Sequence, residues 1–208
     1  MDHPDRDDDE LYRAWVGGDA AAGGILVDRH LRKLARFFAN KVGSPSDAEE
    51  LVGQSFEICA RKLGDWNGSG TFRSYLFGIA HNVLRNYLRS KRRGGREIDP
   101  ATDAIAALGP SPVTIVGEHR EQRLLLEGLR QIPLEYQLVL EMAYFEDLSR
   151  AEIAEALGIP AGTVASRTRR AHELLTEALT RLAGAPELLR STLHGLDDWA
   201  QALRARLG

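Results

Sequence analysis

The chain is poor in the features that would tie it to several common classes. It has one cysteine, Cys59, in 208 residues. A single thiol excludes an intramolecular disulfide and a cysteine-ligated zinc cluster, and fits a reducing compartment. No apolar run approaches the roughly 20 residues of a membrane-spanning helix, so no membrane insertion is expected. There are only eight prolines and few β-branched runs, which favours helix over strand. The segment Asp2–Glu10 carries six acids against Arg6 alone. That is the opposite of a signal peptide, and the expected location is cytoplasmic. Such a run is expected to be a solvated, mobile tail. There is no HExxH, no phosphate-cradling glycine motif, no nucleophile motif and no pair of acids at catalytic spacing. No catalytic centre, metal site or cofactor is therefore expected.

Net charge is small as well, −3 from 27 Lys+Arg and 30 Asp+Glu. Taken alone it argues against a uniformly basic nucleic-acid binder, but the average hides a division. Residues 61–96 hold nine Lys/Arg and one acid, Asp65, a local net of +8. The rest of the chain holds 18 Lys+Arg and 29 Asp+Glu, a net of −11.

Helical periodicity organises most of the length. Leu11, Trp15, Ile25, Leu26, Leu31, Leu34, Phe37 and Phe38 recur at helical spacing, and Gly17-Gly18 and Gly23-Gly24 punctuate them into two helices. After Gly43-Ser44-Pro45, Ser46 with Glu49 predicts a capping box that opens a third helix. On its wheel Ala48, Val52, Phe56, Cys59 and Leu63 share an inner face, and Asp47, Glu50, Gln54, Glu57 and Arg61 share the other. A glycine-rich loop, Gly64–Gly70, leads into a long helix from about Phe72 to Arg92. Residues 97–118 hold four acids, no Lys or Arg, and three prolines, a linker composition with at most one weak helical turn at Ala104–Leu108. Helical periodicity returns from His119 to Leu182. The expected fold is all-α: two small helical domains, 10–96 and 119–183, joined by a flexible acidic linker, 97–118, with a C-terminal helical extension, 184–208.

The most specific local pattern lies in the second domain. Ser149 and Glu152 form a capping box for a short helix whose inner face is Ile153, Ala154 and Leu157. Gly158 stands where a left-handed residue ends a helix before a sharp turn. Pro160 suits the start of the next helix. There Val164, Thr168, Ala171, Leu175 and Ala178 face inward, while Thr163, Ser166 and Arg170 face outward, flanked by Arg167 and Arg169. A short helix, a glycine turn and a helix exposing hydroxyls and arginines make a helix-turn-helix suited to a DNA groove. A plain helical hairpin with a solvated charged face is the alternative, but caps, turn and polar face agree on the DNA-binding motif.

In the first domain, Ser74, Gly78, His81, Asn82, Arg85, Arg89 and Arg92 share the polar face of the long helix. A basic stripe suits a phosphate backbone. Aromatic and amide groups beside it suit unpaired bases, and the neighbouring glycine-rich loop can hold a base lifted from the stack. Aromatics at this spacing are more often core, and Phe72, Tyr75 and Tyr87 are expected to be mainly packed. Cys59 reads as a small buried hydrophobe.

Two blocks resemble the extracytoplasmic-function group of bacterial sigma factors in the sigma-70 family. DAEELVGQSFEICARKL (Asp47–Leu63) with FRSYLFGIAHNVLRNYLR (Phe72–Arg89) is similar to that family's region two. Leu129–Leu175, including IPAGTVASR at Ile159–Arg167, is similar to region four. The likeness spans about residues 10–182. It implies a partner, core RNA polymerase, and a second, promoter DNA: single-stranded at the minus-ten element and double-stranded at minus-thirty-five. By resemblance, Asp47, Glu50, Leu51 and Gln54 face the polymerase. Asn67 contacts a flipped minus-ten base, and Arg73, His81, Asn82, Arg85 and Arg89 line the melted strand. Thr163, Ser166, Arg167 and Arg170 enter the minus-thirty-five groove, and the acidic linker threads the polymerase channel. An anti-sigma factor is a further partner that the family admits, though no residue in the chain marks one.

Departures from the family pattern are Ala165, Thr168, His172 and Tyr75, where Lys, Leu, Arg and Trp are frequent. Fewer basic groups on the recognition helix imply weaker phosphate contacts. In the extension, Leu189, Leu193, Leu196, Ala200, Leu203 and Leu207 share one face. Such a stripe packs on the second domain, masks a polymerase- or DNA-binding face, or docks a partner. A helix-turn-helix regulator that is not a polymerase subunit explains residues 129–182 but leaves the Asp47–Arg93 block idle.

Overall fold

The computed structural model describes residues 6–66, 68–90, 92–93, 96–97, 99, 103–105 and 120–183. Asn67, most of the linker and the 184–208 extension lie outside the described residues.

Helix α1 (Asp8–Val16) begins inside the acidic run. Asp7 caps it, accepting the Glu10 N–H at 2.7 Å, and Asp8, Asp9 and Glu10 fill the first turn. Acids stabilise a helix N-terminus by meeting its unpaired N–H groups and positive dipole end. The expectation of a solvated tail through Glu10 is thus corrected. Asp8 pairs with Arg29 at 3.0 Å and His30 at 2.7 Å, and Asp9 accepts the Phe72 N–H at 2.8 Å.

Asp19 caps α2 (Ala20–Ala39). Gly23 and Gly24 lie within this helix instead of breaking it. A Cβ at Gly23 would come within 2.7 Å of the Trp15 indole, so the glycine seats α1 against α2. Helix α3 (Pro45–Arg61) starts two residues earlier than the Ser46 box predicts. Ser44 accepts the Asp47 N–H at 3.1 Å and donates to its carboxylate at 2.8 Å, and Pro45, with its fixed φ, suits the first turn. Helix α4 (Phe72–Ser90) follows the glycine-rich loop. Thr71 and Ser74 each accept the other's backbone N–H, at 3.2 and 3.1 Å. A two-residue antiparallel ladder, β1 (Arg92–Arg93) with β2 (Arg96–Glu97), is the one sheet among the described residues of an otherwise helical fold.

The second half comprises α5 (Arg120–Arg130), α6 (Leu134–Tyr144), α7 (Arg150–Leu157) and α8 (Ala161–Leu182). Both bonds of the Ser149–Glu152 capping box are present, and Gly158 is left-handed at φ 64°, ψ 36°. Leu157, Gly158 and Ile159 therefore form the expected tight corner of a helix-turn-helix.

The two halves pack together, an orientation the sequence leaves open. Helix α4 packs on α7, and a polar seam joins the C-terminal end of α2 to α6 and the turn that follows it. Lys41, 0% exposed, donates to Glu141, 3% exposed, and to the Phe37 carbonyl at 2.6 Å. Asn40 and Gln137 donate to the same carboxylate at 2.9 and 2.7 Å. Arg36 grips Glu146 with two bonds, at 2.8 and 2.7 Å. Linker residues join this seam: Ile105 is buried in the core, its carbonyl accepts from Arg130 at 3.3 Å, and Asp103 accepts the Leu134 N–H at 3.3 Å. The linker is therefore anchored at 103–105, with Ala104 bridged to Pro133, where only a weak helical turn is expected.

Candidate nucleic-acid interface

The loop before α4 is held from below by an aromatic cluster. Tyr12 lies 5.2 Å from Trp66 and 5.3 Å from Phe72, ring centre to ring centre, and Trp66 stacks on Tyr75. The Tyr12 hydroxyl accepts the Gly64 N–H at 2.8 Å, and the Trp66 indole donates to the Ser69 carbonyl at 2.8 Å. Burial pushes the Tyr75 phenol up to about 12, so Tyr75 stays neutral within this packing. Asn67, the expected base contact, lies outside the described residues.

Along α4 the expected strand-facing residues divide. Arg89 and Asn82 are exposed, and Asn82 donates back to the Gly78 carbonyl at 3.0 Å. Arg73, His81 and Arg85 are half-buried and face the second half. Arg73 pairs with Glu152 at 3.2 Å and donates to the Asp147 carbonyl at 3.2 Å. His81 and Arg85 line a groove floored by Gly78 and walled by Glu155, Ala156 and Leu157 of α7. Burial, then the positive charges of Arg85 and Arg167, lower His81 to about 4, so it is neutral near pH 7. Ser74, expected on the polar face, is buried under Glu155, its hydroxyl 2.7 Å from that carboxylate.

The polymerase-facing set needs two corrections. Leu51 is 3% exposed and belongs to the core. The inner stripe of α3 is Ala48, Leu51, Val52, Ser55 and Cys59, turned about the helix axis from the expected one, and it takes in the leucine. Asp47, expected on the outer face, has partners within the chain. It is half-buried, bonded to Ser44, and accepts the Tyr87 hydroxyl at 3.0 Å. Glu50 and Gln54 remain exposed, joined by a 2.9 Å bond. Burial pushes the Cys59 thiol up to about 12, as suits a buried hydrophobe.

On α8, Ser166 and Arg170 are exposed and Thr163 is half-exposed. Ser166 donates to the Thr163 carbonyl at 3.0 Å, and Arg170 pairs with Glu173 at 2.7 Å in solvent. Arg167 is half-buried and bound to Glu135 of α6 at 2.7 Å, which fixes α8 on its own domain. The departures have local uses: Thr168 donates to the Val164 carbonyl at 2.8 Å, and His172 meets the Tyr144 hydroxyl at 3.1 Å.

The residues missed by the sequence reading are those of the seam, Lys41, Glu141, Arg36, Glu146 and Glu155. One signal was available. Gln137 and Glu141 interrupt the apolar run Leu138-Val139-Leu140 and Met142 on α6, and an acid on a helix so apolar needs a buried partner. Among the described residues no cluster of three metal-ligating side chains occurs, and no helix is long and apolar enough to cross a membrane.

Comparison with known proteins places both halves. Residues 26–94 match the family described as Sigma-70 region 2, and residues 122–175 match Sigma-70, region 4. RNA polymerase sigma factor NccH of Alcaligenes xylosoxydans xylosoxydans is 32% identical over 178 residues, covering 83% of this chain and 94% of that protein. The ECF RNA polymerase sigma-E factor of Escherichia coli K12 is 32% identical over 168 residues, 76% of this chain and 86% of that one. The fold resembles that of CnrH, solved in complex with the cytosolic domain of CnrY, with a TM-score of 0.64 at 24% identity over 84% of this chain and 99% of that one. Two helical halves in this order, with the region-two and region-four motifs each in place, belong to one group: the chain is a member of the sigma-70 family, of the extracytoplasmic-function type.

Proposed function

We propose that the chain serves core RNA polymerase in the cytoplasm as a promoter-specificity subunit without catalytic chemistry of its own, with region-two domain 10–96, linker 97–118 and region-four domain 119–183. Glu50 and Gln54 offer the polymerase an exposed polar face on α3, with Asp47 at its edge. Arg73, His81, Asn82, Arg85 and Arg89 of α4, with Asn67 from the loop, take the melted minus-ten strand. Thr163, Ser166 and Arg170 of α8 read the minus-thirty-five duplex, while Arg167 orients that helix through Glu135. The observation that carries this reading is the pairing, in one chain, of a basic, amide-bearing helix beside a glycine-rich loop with a capped helix-turn-helix.

Run-off transcription with core polymerase on a promoter library tests it. Initiation from a subset of promoters that share two elements is expected. Failure to bind core polymerase, or binding without initiation, overturns the reading.

A further inference from the structure

Resting on that reading, we propose that Asp9 and Tyr12 of α1 are positioning residues of the minus-ten site: they pin the two ends of the glycine-rich loop and so set how sharply it selects its base. Helix α1 precedes the segment, 26–94, that matches the region-two family. It nonetheless holds both ends of the loop. At the start, the Tyr12 hydroxyl accepts the N–H of Gly64, a left-handed residue at φ 95°. At the end, the Asp9 carboxylate accepts the N–H of Phe72, the first residue of α4, at 2.8 Å.

The two anchors stand one turn apart on α1, about 4.5 Å along its axis. The stretch 64–71 between them could extend to about 27 Å. Fastened at both ends to neighbouring side chains of one helix, it must arch. The arch is filled from beneath by the Tyr12 ring, 5.2 Å from Trp66 and 5.3 Å from Phe72, and the Trp66 indole closes it onto the Ser69 carbonyl. No local cap replaces Asp9. The Thr71 hydroxyl serves the Ser74 N–H, so Phe72 takes its acceptor from α1, and a carboxylate there also meets the positive end of α4.

Helix α1 is itself held against α2. Asp8 bonds Arg29 and His30, and Trp15 rests on Gly23. The loop is therefore placed by the body of the domain. Tyr12 is 2% exposed and Asp9 is half-buried and engaged, so both act through the loop and not on a nucleotide. Placement bears on selectivity because a hydrogen-bonding pocket rejects a wrong base by leaving its own polar groups unpaired. A pocket that shifts weakens its right base most, since a wrong base makes few of those bonds to begin with.

The test reconstitutes the full chain with core polymerase on the promoter library. Preference is read at each position of both elements as initiation from the best base over the next best. Tyr12→Phe, which keeps the ring in its cluster, and Asp9→Ala should each lower the ratio at one minus-ten position by about fivefold to tenfold, the worth of one hydrogen bond. Every minus-thirty-five ratio should stay the same. Asp9→Asn keeps an acceptor oxygen and should retain most of the preference. Preference unchanged in both Tyr12→Phe and Asp9→Ala overturns the proposal. So does an equal fall at both elements in step with a lower melting temperature, which is lost stability alone. So does a fall in Asp9→Asn as deep as in Asp9→Ala, which makes charge the cause. Absence of any preference from the unaltered chain overturns the underlying reading instead, whereas preference shared by the unaltered chain and both variants removes the positioning role alone.

Discussion

The two helices assigned to DNA differ in what surrounds them. On α8, Ser166 and Arg170 stand in solvent, and Arg170 has only an exposed partner one turn away. On α4, Arg73 is already paired across the molecule, and His81 and Arg85 are half-buried beneath α7. Of the two, α8 is open and α4 is covered, by a carboxylate-bearing helix of α8's own domain. The proposed DNA contact of α8 is thus uncovered, whereas that of α4 lies largely beneath α7.

The largest effect that breaks this contrast is expected at the buried pair. Lys41→Ala leaves Glu141 buried without its countercharge, with only the neutral Asn40 and Gln137 amides bonded to it, a penalty of up to about 3–5 kcal/mol on the docked form. The chain should escape it by opening, seen as a larger radius of gyration in small-angle scattering, with helix content retained. An unchanged radius would mean that the halves stay docked and α4 stays covered.

Leu51→Ala should cost about 2–5 kcal/mol in chemical denaturation, as a core leucine does. It should affect polymerase binding only through stability. Gln54→Ala, exposed on the same helix, should do the reverse. A stable Leu51→Ala protein that fails to bind polymerase would return Leu51 to the docking face.

Arg170→Ala should weaken binding to the preferred upstream duplex by about 1–3 kcal/mol if the guanidinium reads a base. The loss should be the same in a Lys41→Ala background, because α8 is uncovered whether or not the halves are docked. Equal loss on every upstream sequence would reduce Arg170 to a phosphate contact.

The smallest effect is expected from pH. In the docked form His81 is held at about 4, below its ordinary 6.5. Its neutral form is favoured there, so its contribution to docking is complete above pH 6.5 and fades as pH falls toward 4. Arg85 on α4 and Arg167 on α8 oppose its protonation, while Glu155 of α7, Glu135 of α6, Asp65 and Asp99 line the same grooves, with Lys62 at the rim. A proton NMR titration of the His81 ring should show its midpoint rising toward 6.5 in Glu152→Gln/Glu155→Gln. The same midpoint in both proteins would mean that α7 is not what buries it.

Local signals carried most of the fold. The Ser149 box, the Gly158 turn and the outward Ser166 and Arg170 follow from bonds between residues a few positions apart, and these are legible in a sequence. Errors arose where two equally local choices competed, or where a partner lay far along the chain. Ser44 with Pro45 displaced Ser46 because the proline's fixed φ favours the earlier start. Leu51 moved inward because the stripe it joins is set by what α3 packs on, which periodicity alone does not orient. Glu152 was legible as a cap but not as a partner of Thr71 and Arg73, some 80 residues away. Glu155 left no local trace at all.

The hydroxyl of Tyr12, bonded to the Gly64 N–H, carries one more consequence. Helix α1 packs at the head of α4, where Asp9 accepts the Phe72 N–H, and it also fixes the root of the loop that precedes that helix. Much of the loop's conformational freedom is lost when α1 folds, and not when a nucleotide arrives. On the proposed reading of the loop as a base pocket, α1 lowers the entropic cost of nucleotide capture.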